Sequence, residues 1–231
     1  MIIVEVKKRF RLTPLFLSLI AFLALAAAVS GAADHDPPPV SPATDFPAVE
    51  THADEKVSIA ADPYNTPDKC AIFRVDYLKY GYIPIRLIVT NNGDTPISLV
   101  DARIHFITRD GDKIPAAKPS DIERASTFDS HAGRTIPLPA PLPPLHGKAK
   151  TSTKNIEADF ATFEYAALAV EPHTTRAGFL FYDVAGLPDP LKGAHLYLRM
   201  LHSADGKDLF YFEIPLDKST SEPKVEKRPT D

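Results

Sequence analysis

Between residues 56 and 216 apolar and polar side chains repeatedly alternate with a period of two, and most runs close at a turn signal. Ile83, Ile85, Leu87 and Val89 share one side of a run that ends at Asn91-Asn92-Gly93-Asp94. Val100, Ala102, Ile104 and Phe106 do the same around Arg103 and His105, ahead of Asp110-Gly111. Leu196, Leu198 and Met200 form a third set, and Asp205-Gly206 leads into a fourth, Phe210, Phe212 and Ile214. Successive side chains of an extended chain point to opposite faces, so these runs predict half-buried strands, with Asp-Gly as a hairpin turn. Ala177 to Val184 is nearly all apolar and predicts a strand covered on both faces. With Lys56 to Ala60 and Ala167 to Glu171, about seven strands are expected.

Helical signals are short and fall in the connections. Thr66-Pro67-Asp68 has the form of an N-cap with proline in the first turn, followed by Ala71, Val75 and Leu78 at helical spacing up to Gly81. Ser120 to Glu123 has the capping-box pattern, and Ile156, Phe160 and Phe163 would share one face of a helix capped by Asn155. The fold class predicted is mainly β: an antiparallel immunoglobulin-like sandwich with short helices between strands. The antibody landmarks are missing, because the chain has no tryptophan and one cysteine.

Outside this pattern the chain changes character. Lys7, Lys8, Arg9 and Arg11 precede an apolar run from Leu15 to Val29, and Ser30-Gly31-Ala32-Ala33 follow. That order predicts a signal peptide over residues 1–33, cut after Ala32 or Ala33, and a periplasmic or secreted product. An uncleaved leader would instead anchor the protein in a membrane through residues 15–33, the run reaching spanning length only with the small residues included. Five prolines between 34 and 54 predict an extended linker. Residues 55–217 then form the sandwich domain, and the charged stretch 218–231 a loose tail.

The stretch from Gly111 to Asn155 is long for a connection, and such loops are functional or disordered. Its Pro137-Leu138-Pro139-Ala140-Pro141-Leu142-Pro143-Pro144-Leu145 favours a stiff polyproline II arm with an apolar side. It would either lie over a sheet edge or dock a partner, with Pro137, Leu138, Pro141, Leu142 and Leu145 as contacts. Tyr182 and Tyr211, each beside a phenylalanine, are expected to face outward and could meet a sugar ring or a protein.

Chemistry is sparse by comparison. The net charge of −4 argues against nucleic-acid binding. No glycine-rich nucleotide loop, H-x-x-H, C-x-x-C or G-x-S-x-G occurs, so no cofactor, nucleotide or metal is implied. Asp129-Ser130-His131 are neighbours in sequence, which does not make a relay. Cys70 has no disulfide partner and reads as a buried thiol.

Ile85 to Leu99, with its Asn-Asn-Gly-Asp turn, resembles a strand-turn-strand passage of exported bacterial immunoglobulin-like domains. Glu171 to Phe181 is similar to their later aromatic-rich strand. Asp62-Pro63-Tyr64, Thr66-Pro67-Asp68-Lys69 and Leu209 to Pro215 look like exported proteins of soil bacteria. The resemblance implies a sandwich outside the cytoplasm and carries no catalytic set. A non-enzymatic binding or accessory module for an envelope protein or glycan is expected; the alternatives are a membrane-tethered structural protein with an uncleaved leader, or an envelope hydrolase whose cleft would gather Ser130, His131 or exposed acids.

Overall fold

A computed structural model describes residues 35–129 and 149–220, with side chains from 35 to 126 and from 153 to 218. The strands are β1 (Val49–His52), β2 (Val57–Pro63), β3 (Tyr82–Asn91), β4 (Ile97–Ser98), β5 (Arg103–Ile107), β6 (Lys113–Pro115), β7 (Ala169–Val170), β8 (Thr174–Asp183), β9 (His195–Arg199), β10 (His202–Ser203) and β11 (Phe212–Pro215). The α-helices are α1 (Pro67–Cys70), α2 (Pro119–Asp129) and α3 (Ala149–Phe163). All strand pairs within the sheets are antiparallel. They make sheets in the orders β1-β2-β3-β8 and β11-β9-β5-β6, and a small sheet β10-β4-β7.

The alternating runs explain the sandwich. Ile83, Ile85, Leu87 and Val89 of β3 meet Phe106, Leu196, Leu198, Phe212 and Ile214 of the facing sheet in one buried cluster. Every residue of β3 is buried, because its other face is covered too. There Phe179 and Phe181 of β8 pack with Tyr64, Phe73 and Tyr77, with Ile122 of α2, and with Ile156, Phe160 and Phe163 of α3. The molecule is therefore a mainly β sandwich with a helical layer on one sheet.

One buried charge ties that layer down. The Asp159 carboxylate of α3 is fully buried and accepts from the backbone amides of Arg74 and Val75, the Tyr77 hydroxyl and the Arg74 guanidinium at 3.0–3.2 Å. Burial, then the Asp159 charge, pushes the Tyr77 phenol far above its ordinary value, so it remains a donor.

Several local expectations change. The linker boundary at residue 55 is corrected: Val49–His52 form an edge strand paired with β2. Further upstream, the Arg86 guanidinium, only 5% exposed, donates to the carbonyls of Pro38 and Pro39 at 2.9 Å. A buried cation needs acceptors, and these carbonyls supply them. Helix α3 starts at Ala149, not behind an Asn155 cap. In the first turn of α2, Asp121 rather than Glu123 accepts from a preceding amide, that of Lys118, so this bond forms two residues earlier than the Ser120–Glu123 pattern places it. Val100 is exposed and precedes β5, and Met200 takes a positive φ of 62°, so Leu201 rather than Met200 turns into the core. Among the described residues the seven expected strands are joined by four short ones, β1, β4, β6 and β10.

The outer edge of β8 is also covered. Tyr165 donates its amide to the Phe179 carbonyl and Ala117 donates to that of Phe181. Gly178 permits this approach, since a Cβ there would lie 2.5 Å from the Tyr165 Cα.

Cys70 is buried, and its thiol donates to the Tyr64 carbonyl. Burial, then the Asp76 charge, raises its pKa to about 11. An unfolded thiol ionises near 9, so the unfolded state loses its proton first and stability falls as pH rises from about 9 to 11. Labelling by a thiol reagent at pH 8 is expected to be slow in the native protein and fast in urea. Equal rates would contradict the buried placement.

Candidate functional site

The surface feature that best fits recognition lies where β1 meets β11. Strand β11 is an edge, and two of its neighbourhood's amides are satisfied by side chains of β1 and the turn after it. Glu50 accepts from the amide of Glu213, and Glu55 from that of Phe210 at 2.9 Å. His52 stands between the two acids, with Nδ1 2.9 Å from Glu55 and Nε2 3.2 Å from Glu50. Its ring stacks on Phe212 with centroids 3.9 Å apart. Both imidazole nitrogens are thus occupied. The His52-Glu50-Glu55 group fastens two strands together and leaves no free nitrogen to move a substrate proton.

This tie carries two aromatic side chains outside the core. Phe210 is 74% exposed and Tyr211 54% exposed. They border a cavity of about 370 Å³ with Glu50, His52, Asp54 and Glu55. Tyr211 also packs against Tyr197 of β9, centroids 5.6 Å apart and tilted by 38°. Glu213 pairs with Tyr197, and Tyr197 with His105, across the outward side of the β11-β9-β5-β6 sheet. Burial, then Arg199, Lys113 and Arg103, holds the His105 pKa below the ordinary histidine value.

A larger cleft of about 700 Å³ lies between α2 and the β6–β8 side, with Tyr82, Asp121, Arg124 and Asp183 in its walls. Its apolar lining is mostly short side chains, and it presents no exposed aromatic. Among the described residues no group of three His, Cys, Asp or Glu side chains converges as a metal site would require. His195 lies on β9, whereas His202 lies on β10 in another sheet and contacts Asp208 at 2.7 Å.

The expected outward pair does not exist. Tyr182 is fully buried and meets Phe106 in the sandwich core. The alternation along β8 runs opposite to expectation: Phe179 and Phe181 face the helical layer, which leaves Tyr182 pointing between the sheets. Its hydroxyl has no hydrogen-bond partner among the described residues, and burial raises its pKa strongly. Tyr182→Phe is therefore expected to raise stability by about 1 kcal/mol, read as a higher urea midpoint. A loss of similar size would mean that the hydroxyl is bonded. Phe210 was expected inside with Phe212 and instead precedes the strand and stands in solvent. Pro137, Leu138, Pro141, Leu142 and Leu145 lie outside the described residues, as do Ser130 and His131.

The linker-like composition of residues 34–54 hides the pairing of Glu50, His52 and Glu55. The E-x-H-x-x-E spacing of 50–55 was the available signal.

No family model matches this chain, and no match is found among curated proteins or solved structures. No described helix is long and apolar enough to cross a membrane, and residues 15–33 lie outside the described part.

Proposed function

We propose that this chain is an exported, non-enzymatic binding or accessory module of the bacterial cell envelope that recognises its partner by surface contact. The observation that carries the reading is the exposed neighbouring pair Phe210 and Tyr211 at the rim of the cavity beside β1. Large aromatics held in water lose little entropy on docking and supply much apolar area, so they dominate contact energy where they occur. The tie through Glu50, His52 and Glu55, between β1 and β11, fixes the segment that bears them, which lowers the ordering cost of binding. The basic head and apolar run at the N-terminus support export.

The test has two readings. Mass analysis of the protein from a fractionated cell is expected to find the N-terminus near residue 33 or 34 in the envelope or medium. Retention of residues 1–33 would contradict the cleaved leader. Envelope components recovered with the tagged wild-type chain are expected to fall about tenfold or more with the double variant F210A/Y211A. An unchanged set would contradict recognition through this pair.

A further inference from the structure

We propose that the outward face of the β11-β9-β5-β6 sheet binds an acidic glycan, with Arg103 and Arg199 taking its acid groups and Tyr197 and Tyr211 its sugar rings. The proposal rests on the reading of the chain as a binding module and names the chemistry of its ligand.

The argument begins with a charge placement that the fold alone does not favour. Arg103 of β5 and Arg199 of β9 are direct partners in the antiparallel ladder, and both are exposed. Like charges directly opposite each other in a sheet destabilise it. Neither arginine forms an ion pair among the described residues. Lys113 of β6 and His105 of β5 share this outward parity, and Arg199, Lys113 and Arg103 all bear on the His105 ring as cations. The one acid among them is Glu213, opposite Tyr197.

Two guanidinium groups on one rigid ladder suit an anion that is planar or multidentate, since each offers a fork of donors to a carboxylate or phosphate. The aromatic neighbours narrow the class. Tyr211 immediately precedes Phe212, which pairs with Leu198, so Tyr211 comes next to Arg199 in the register. Its ring packs on Tyr197. Tyrosine faces beside cations offer a ring surface for the C–H side of a sugar and hydroxyl groups for its polar edge. A sugar polymer with acid substituents uses both halves of this face, whereas an acidic peptide uses the arginines alone. Beyond Tyr211 the cavity walls carry Glu50, Asp54 and Glu55, which confine an anionic chain to the arginine side.

The test titrates the chain with polygalacturonate, dextran and poly-L-glutamate in a calorimeter at low salt. Polygalacturonate is expected to bind at least about tenfold more tightly than either control, and more weakly as salt is raised. R103E/R199E and, separately, Tyr211→Ala are each expected to weaken it about tenfold or more, with thermal unfolding like that of the wild type. Equal binding of dextran, equal binding of polyglutamate, no binding of polygalacturonate, or full affinity in R103E/R199E would each overturn the assignment. A chain that binds no polygalacturonate but still loses its envelope components in F210A/Y211A overturns the glycan assignment alone. One that does neither overturns the binding reading as well.

Discussion

Phe181→Ala is expected to destabilise the protein by about 3–5 kcal/mol, the largest effect of any single core truncation. The ring is 1% exposed and joins three parts of the chain that are distant in sequence. It stacks on Phe160 of α3 with centroids 4.5 Å apart, lies 4.6 Å from Tyr77 and 5.8 Å from Phe73. Alanine would leave a cavity between sheet and helices that neither side can close, because both are held by backbone bonds. Each lost aromatic pair adds about 0.5–1.5 kcal/mol beyond area burial. Urea unfolding should show a lower midpoint with an unchanged slope. A loss below about 1 kcal/mol would mean that the helical layer is not seated on β8 as described.

Asp159→Ala should cost nearly as much, about 3–5 kcal/mol, because four donor groups would lose a buried anion together. The Arg74 and Val75 amides and the Tyr77 hydroxyl would be stranded in an apolar setting, and the Arg74 cation would lose its carboxylate. For a domain of this size the expected fall in Tm is about 10 °C. Asp159→Asn keeps one acceptor oxygen but loses the charge and sets an NH2 donor against the others, so a loss smaller than that of alanine but still above about 1 kcal/mol is expected. Hydrogen exchange gives a local readout: the Arg74 and Val75 amides should become the fastest-opening of the helical layer. A variant with native Tm and protected amides would contradict this role.

Much of the sandwich was legible because alternation is a local property. Ile83, Ile85, Leu87 and Val89 face the core as their spacing requires, as do Leu196, Leu198, Phe212 and Ile214. What alternation cannot give is which of two faces meets which layer when both are covered. Tyr182 shows this: in β8 both parities are apolar, so the sign of the alternation depends on α3, which packs from elsewhere in the chain. Strand ends are equally non-local. Phe210 follows the parity of Phe212, yet β11 starts only at Phe212, and the Phe210 amide is satisfied by Glu55 instead of a ladder partner.

The surface chemistry was hidden for a related reason. Arg103 and Arg199 lie 96 residues apart in sequence, and only the β5–β9 register sets them opposite each other. The acids that support Phe210 and Tyr211 lie within and just after a proline-rich stretch whose composition suggests a spacer. Its anchoring depends on Arg86, buried under the carbonyls of Pro38 and Pro39, which composition does not reveal.

Site-specific photo-crosslinking in intact cells bears most directly on recognition at this surface. A photoreactive phenylalanine placed at Tyr211 is expected to give a covalent adduct of higher mass with an envelope component, while the same group at exposed Glu171 gives none. No adduct at position 211, or equal adducts at both positions, would contradict it.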